Sequence, residues 1–98
     1  MRVLVVYDIA IYESGTKRLT RTEKLCEKYC TRVQDSVFEG RLDESELVKL
    51  MNDIKKSINI KYDSVRIYRL ANDTSTNNPI IIGQKVITEK LSDDAFIL

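Results

Sequence analysis

Apolar and polar positions divide the 98-residue chain into segments of distinct period. The opening stretch, Met1 to Ile9, holds an unbroken apolar and mostly β-branched run, Val3-Leu4-Val5-Val6-Tyr7. Such a run predicts a strand buried on both faces in the middle of a sheet. It ends at Asp8, a carboxylate on the lip of the core, and polar loop sequence with Gly15 follows from Ala10 to Thr16. Burying a lone charge is costly, so Asp8 requires a cation, a set of donors or water.

The next segment has a helical period, from Thr16 or Lys17 to Tyr29. Thr16 is one candidate cap, and Thr20 with Glu23 spells a capping box one turn later. Helical spacing puts Leu19, Thr22, Leu25, Cys26, Tyr29 and Cys30 on one mostly apolar arc that must pack on the sheet. Lys17, Arg21, Lys24 and Lys28 fall within a sector of roughly 60° on the solvent side. Four aligned cations are either a solubilising face or a ridge that tracks phosphates.

Thr31 to Leu42 is β-prone, but its alternation breaks at Val37–Phe38. Two short strands with a reversal near Asp35–Ser36 are expected. Asp43 and Glu46 then form a capping box ahead of an amphipathic helix whose apolar stripe is Leu47, Leu50, Met51, Ile54 and Ile58. Tyr62 to Leu70 alternates as a half-buried strand. Ala71 to Pro79 reads as polar turn. The short pieces Ile80–Ile82, Gly83 and Val86–Ile87 must add to a sheet edge, in this chain or in a second copy. Residues 1–88 thus form one domain, and 89–98 a tail ending in Phe96, Ile97 and Leu98.

The element order predicts an α+β fold. It is a ferredoxin-like β-α-β-β-α-β antiparallel sheet with two helices on one face and a short extra C-terminal strand. The bare face needs a cover, and a second copy about a two-fold axis is the common solution, hence a homodimer.

Composition narrows the chemistry. A hydrophobic fraction of 43% and a charged fraction of 32% suit one globular domain. The N-terminal apolar run is too short to span a membrane and lacks signal-peptide flanks, so a cytoplasmic protein is expected. Cys26 and Cys30, on one helix, suit neither a disulfide nor a zinc site. Net charge is +1, so phosphate binding would depend on local clustering. Histidine is absent, which removes Ser-His-Asp and Cys-His mechanisms. Catalysis would have to pair a carboxylate with a hard cation such as magnesium.

Several segments occur here in one order: Y-D-I at 7–9, Lys17–Arg18 at the first helix start, R-V-Q-D-S-V-F-E-G at 32–40, an acid-capped leucine helix, and D-S-V-R-I-Y at 63–68. Together they resemble the small CRISPR-associated protein family two, the ferredoxin-like partner of the CRISPR integrase, over residues 1 to 87. The resemblance implies a homodimer whose sheets face each other, the last strand of one chain often completing the other's sheet. It implies that Asp8 lies near its symmetry mate with a magnesium or manganese ion at the dimer interface, assigned to a metal-dependent phosphodiesterase. It equally implies a non-catalytic platform that bridges integrase dimers and holds duplex DNA. Tyr7, Arg18, Arg32, Ser36 and Phe38 match positions implicated around that site. Relative to the family, Leu19 and Thr20 interrupt the usual arginine run, and the loop from Ile11 to Thr16 is longer.

Each candidate carries an alternative role. Asp8 is either a metal ligand or the cap of a turn, accepting backbone donors. Lys17, Arg18, Arg21 and Arg32 are nucleic-acid contacts; the alternative for Arg18 and Arg32 is ion pairing with Glu13, Glu23, Glu27 or Asp35. Ser36 is a turn or strand hydrogen-bonder with no base to activate it. Phe38 reads as core, and Tyr7 packs the dimer seam or stacks on a base. The expected function is a homodimeric CRISPR adaptation scaffold that binds duplex DNA. An active magnesium-dependent endonuclease on single-stranded RNA or duplex DNA is the alternative, and a toxin-like ribonuclease or small-ligand module sharing the fold is a third.

Overall fold

The computed structural model describes residues 1–70 and 80–83. In chain order these form β1 (Arg2–Asp8), α1 (Gly15–Tyr29), β2 (Thr31–Gln34), β3 (Val37–Arg41), α2 (Glu44–Ser57), β4 (Ser64–Arg69) and β5 (Ile80–Gly83). The strands make one sheet in the order β2-β3-β1-β4-β5, with every neighbouring pair antiparallel. This is the ferredoxin-like arrangement expected from the sequence, with the extra strand added beyond β4.

Strand β1 lies at the centre, as its apolar run predicts, but the two faces differ. Val3, Val5 and Tyr7 are buried, whereas Leu4 and Val6 are half-buried and Asp8 is exposed. Both helices dock on the first face. Leu47, Leu50 and Ile54 of α2 and Cys26 of α1 join Val3, Val5, Phe38, Val65 and Ile67 in one core cluster. Among the described residues both helices lie on that face, and on the other face Arg66 is nonetheless buried. Cross-strand register places Leu4, Val6, Val37, Arg66, Tyr68 and Ile81 on it.

The local rules hold unevenly. Helix α2 starts where its capping box says, with Glu46 N donating to Asp43 Oδ1 at 2.8 Å and Asp43 N donating to Glu46 Oε1 at 2.9 Å. Helix α1 starts at Gly15 with Ser14 at its N-cap, ahead of both Thr16 and the Thr20–Glu23 pair, and uses no side-chain cap. Its entry instead runs through two left-handed residues, Glu13 (φ 55°) and Ser14 (φ 63°). Gly15 follows because a Cβ there would lie 1.9 Å from the Ala10 carbonyl oxygen. Thr20 bonds back to the Thr16 carbonyl at 3.0 Å, an in-helix habit of threonine.

The expected reversal falls at Asp35–Ser36. Ser36 is left-handed (φ 65°), and its carbonyl accepts from Tyr7 N at 3.1 Å, which ties the β2–β3 hairpin to the end of β1. Strand β5 pairs with β4 of its own chain, Ile82 opposite Val65. The turn at 71–79, the Val86–Ile87 piece, the boundary at 88 and the Phe96-Ile97-Leu98 tail lie outside the described residues. Among the described residues no helix is long and apolar enough to cross a membrane.

Candidate functional site

Asp8 is the last residue of β1 and stands opposite Ser64. It is exposed, and among the described residues its carboxylate has no hydrogen-bond or ion-pair partner. An aspartate at a strand end ordinarily accepts from the backbone N–H two residues on. Here that donor, Ala10 N, is bonded at 3.0 Å to Asp63 Oδ1 instead. The turn-capping role open to Asp8 is thus performed by Asp63.

Asp63 is fully buried and precedes β4. Its Oδ2 accepts from Asn59 N at 2.8 Å and from Arg18 Nε at 2.7 Å, and its Oδ1 accepts from Arg18 Nη2 at 3.3 Å. Burial alone would raise its pKa. The Arg18 hydrogen bonds, the Asn59 and Ala10 amides and the guanidinium charge together outweigh that and hold the carboxyl below its ordinary value. Asp63 opens the D-S-V-R-I-Y segment but was not singled out as a site residue, and no local spacing marks its role.

Arg18 therefore stands apart from the other basic candidates. Its guanidinium is buried against Asp63, Nη2 also donates to the carbonyls of Ala10 (3.2 Å) and Tyr12 (3.1 Å), and Nη1 donates to the Glu13 carbonyl. Arg18, expected as a nucleic-acid contact, turns its guanidinium in the single chain to Asp63 and three backbone carbonyls. Its anionic partner is also none of the four expected. The signal was present: Arg18 lies four residues before Thr22 and seven before Leu25, inside the buried arc of α1.

Tyr7, Phe38 and Arg32 meet under α1, on the helix side of the sheet. Tyr7 is buried, stacks on Phe38 with centroids 6.0 Å apart, and donates from its phenol to Glu23 Oε2 at 3.0 Å. Burial, then the Glu23 hydrogen bond and charge, push that phenol well above its usual pKa, so it stays protonated. Helix docking encloses the Tyr7 ring on the helix side of the sheet. Phe38 is core, as read. Arg32 lies over the Phe38 ring, 4.9 Å from guanidinium carbon to centroid. Its Nη2 is 3.5 Å from Glu23 and 3.9 Å from Glu27, two of the pairings anticipated for it. Ser36 serves the turn.

The α1 ridge does face solvent. Lys17, Arg21, Lys24 and Lys28 are all exposed. Arg21 Nη2 is tethered to the Ser57 carbonyl at 3.2 Å, which brings the ridge beside α2. A shallow groove between the helices is lined by Arg21, Lys24, Leu25, Asp53, Lys56 and Ser57, adding a fifth cation.

With this geometry in place, comparison with known proteins is decisive. Residues 1–77 match the family model for CRISPR associated protein Cas2. The chain belongs to the Cas2 family. It is 43% identical over 77 residues to a CRISPR-associated endonuclease Cas2 of Halalkalibacterium halodurans, covering 78% of this chain and 80% of that protein. It is 39% identical over 71 residues to a Cas2 endoribonuclease of Moorella thermoacetica, covering 71% and 74%. Among solved structures, Streptococcus pyogenes Cas2 superposes with a TM-score of 0.68 at 40% identity, covering 74% of this chain and 89% of that one.

A divalent cation goes with such an activity, and the residues can be tested for it. Among the described residues no three acidic or cysteine side chains gather into a metal-binding group. Asp8 supplies one free, exposed carboxylate oxygen pair, the hard donor that magnesium or manganese prefers. A single carboxylate does not by itself make a metal site among the described residues.

Proposed function

We propose that this Cas2-family chain is a homodimeric scaffold of CRISPR adaptation that holds duplex DNA by its backbone and bridges integrase dimers. The observation that carries this reading is the exposed ridge Lys17–Arg21–Lys24–Lys28, extended by Lys56 across the helix groove. Cations in a line meet successive phosphates without regard to sequence, and each contact releases a counterion. The sheet face away from the helices supports the dimer: Leu4, Val6, Val37 and Ile81 on it are half-buried among the described residues, and an isologous partner would cover them further. Integrase bridging rests on the family resemblance described from the sequence.

In this reading Asp8 and its mate from the second chain face each other and share one magnesium or manganese ion, which relieves their like charge. A second reading is favoured by the freedom of Asp8 itself: a metal-dependent phosphodiesterase acting on single-stranded RNA or duplex DNA. There the cation would neutralise charge developing on the phosphate. The two readings separate on Asp8→Asn, assayed with purified full-length protein in magnesium or EDTA. A scaffold leaves both substrates intact and binds duplex equally in wild type and variant. Metal-dependent cleavage that disappears in the variant would replace the scaffold reading with the phosphodiesterase.

A further inference from the structure

Among the described residues the most exposed large apolar side chains are Ile11, Ile60 and Tyr12, at 87%, 63% and 57%. All three lie in two loops, 9–14 between β1 and α1 and 58–63 between α2 and β4. Tyr12 meets the half-buried Tyr62 of the second loop edge to face, with ring centroids 4.8 Å apart. Single apolar residues on a surface need no explanation, but an exposed group shared by two loops marks a contact site. Both loops are fixed. Asp63 accepts from Ala10 N and Asn59 N, Arg18 Nη2 donates to the Tyr12 carbonyl at 3.1 Å, and Tyr62 N donates to the Asn59 carbonyl at 3.0 Å. The two rings are therefore in place before any ligand arrives, which lowers the entropy lost on binding.

Charge identifies the ligand. The groove between the helices, with Arg21, Lys24 and Lys56 against Asp53 in its lining, reaches Ser57, the last residue of α2, whose carbonyl Arg21 holds. Asn59 follows two residues later and carries Tyr62 on its carbonyl. Lys17, exposed near the start of α1, stands five residues after Tyr12. Lysine is depleted in protein–protein contacts, whereas a cationic groove leading to exposed aromatic rings is what single-stranded nucleic acid requires. Phosphates meet the cations, and unpaired bases stack on the rings. We infer that Tyr12 and Tyr62 form a stacking platform for unpaired nucleotides, placed where a strand leaves the cation ridge of α1. The inference rests on the reading of that ridge as a duplex-binding surface, and it extends the substrate to duplexes with a single-stranded end.

The test is equilibrium binding by the full-length protein to a labelled blunt duplex, the same duplex with a single-stranded thymidine extension, the same duplex with an abasic extension, and the thymidine strand alone. Wild type is compared with Tyr12→Phe, which keeps the ring, and Tyr12→Leu, which keeps apolar bulk without it. Circular dichroism checks folding. Stacking on an aromatic side chain strengthens binding by about 5–150-fold per base. Wild type and Tyr12→Phe are expected to bind the thymidine extension more tightly than the abasic one by a factor in that range. Tyr12→Leu should lose most of the difference and hold the blunt duplex as wild type does. If Tyr12→Leu fails to fold, the thymidine and abasic extensions compared in wild type decide the matter. Equal binding of those two extensions by wild type would overturn the platform and assign the exposed rings to a protein partner. An undiminished thymidine preference in folded Tyr12→Leu would overturn it too. Failure of wild type to hold the blunt duplex would instead overturn the ridge reading. Binding of the thymidine strand alone that depends on the Tyr12 ring would then keep the platform, and its absence would overturn both.

Discussion

Arg18 and Asp63 meet at 2.7 Å across 45 residues of sequence, with the carboxylate wholly out of solvent. An aspartate held below its ordinary pKa stabilises the fold fully above its unfolded value, about 4, and that stabilisation fades as pH falls through the depressed folded value. The denaturant midpoint should therefore hold from neutrality to about pH 4 and drop below it. Asp63→Asn should lower the midpoint at neutrality and flatten the acid limb. Urea titrations at several pH values check this.

Gly15 is fixed by space. A methyl group there would strike the Ala10 carbonyl at 1.9 Å, and that carbonyl is backbone held by Arg18. Gly15→Ala should cost about 1–3 kcal/mol, the range for forced overpacking. Equilibrium unfolding would show it, and an unchanged midpoint would mean that the loop gives way more easily than its hydrogen bonds suggest.

Phe38 tests core against ligand contact. Its ring is fully buried between Tyr7 and Arg32, so Phe38→Ala should cost about 3–5 kcal/mol. Phe38→Leu should lose far less stability and keep duplex binding unchanged. A binding defect in the folded leucine variant would show that the ring reaches nucleic acid after all.

Cys26 should be inert. Burial pushes its thiol up to about 12, so almost no thiolate exists at neutral pH. Disulfide reagents should leave it unmodified until the chain unfolds. Cys30, half-buried and also raised by burial, should react first but slowly. Mass spectrometry after timed labelling distinguishes the two.

What the sequence revealed follows from how local each cause is. The capping box at Asp43 and Glu46, the stripe of α2 and the reversal at Asp35–Ser36 depend on neighbours within a few residues, and all are found in the structure. The central place of β1 was legible from its composition. The face that Tyr7 occupies was not, because it depends on which side of the sheet the helices cover. The burial of Arg18 was masked by its charge: it adjoins Lys17 in sequence, yet its helical position is among Thr22 and Leu25. The role of Asp63, which opens the D-S-V-R-I-Y segment, could not be read, because its partners Ala10 and Arg18 lie 53 and 45 residues upstream in a part of the chain joined to it only by folding.

The account rests most on the α1 ridge, and the salt dependence of duplex binding tests it directly. Full-length protein and the Lys17→Gln/Arg21→Gln/Lys24→Gln/Lys28→Gln variant would be titrated with duplex DNA across a range of salt concentrations. Wild-type affinity should fall steeply with salt, and the variant should bind more weakly with a slope shallower by about one unit for each cation that meets a phosphate. Identical affinities and slopes would contradict the account and place the DNA elsewhere on the molecule.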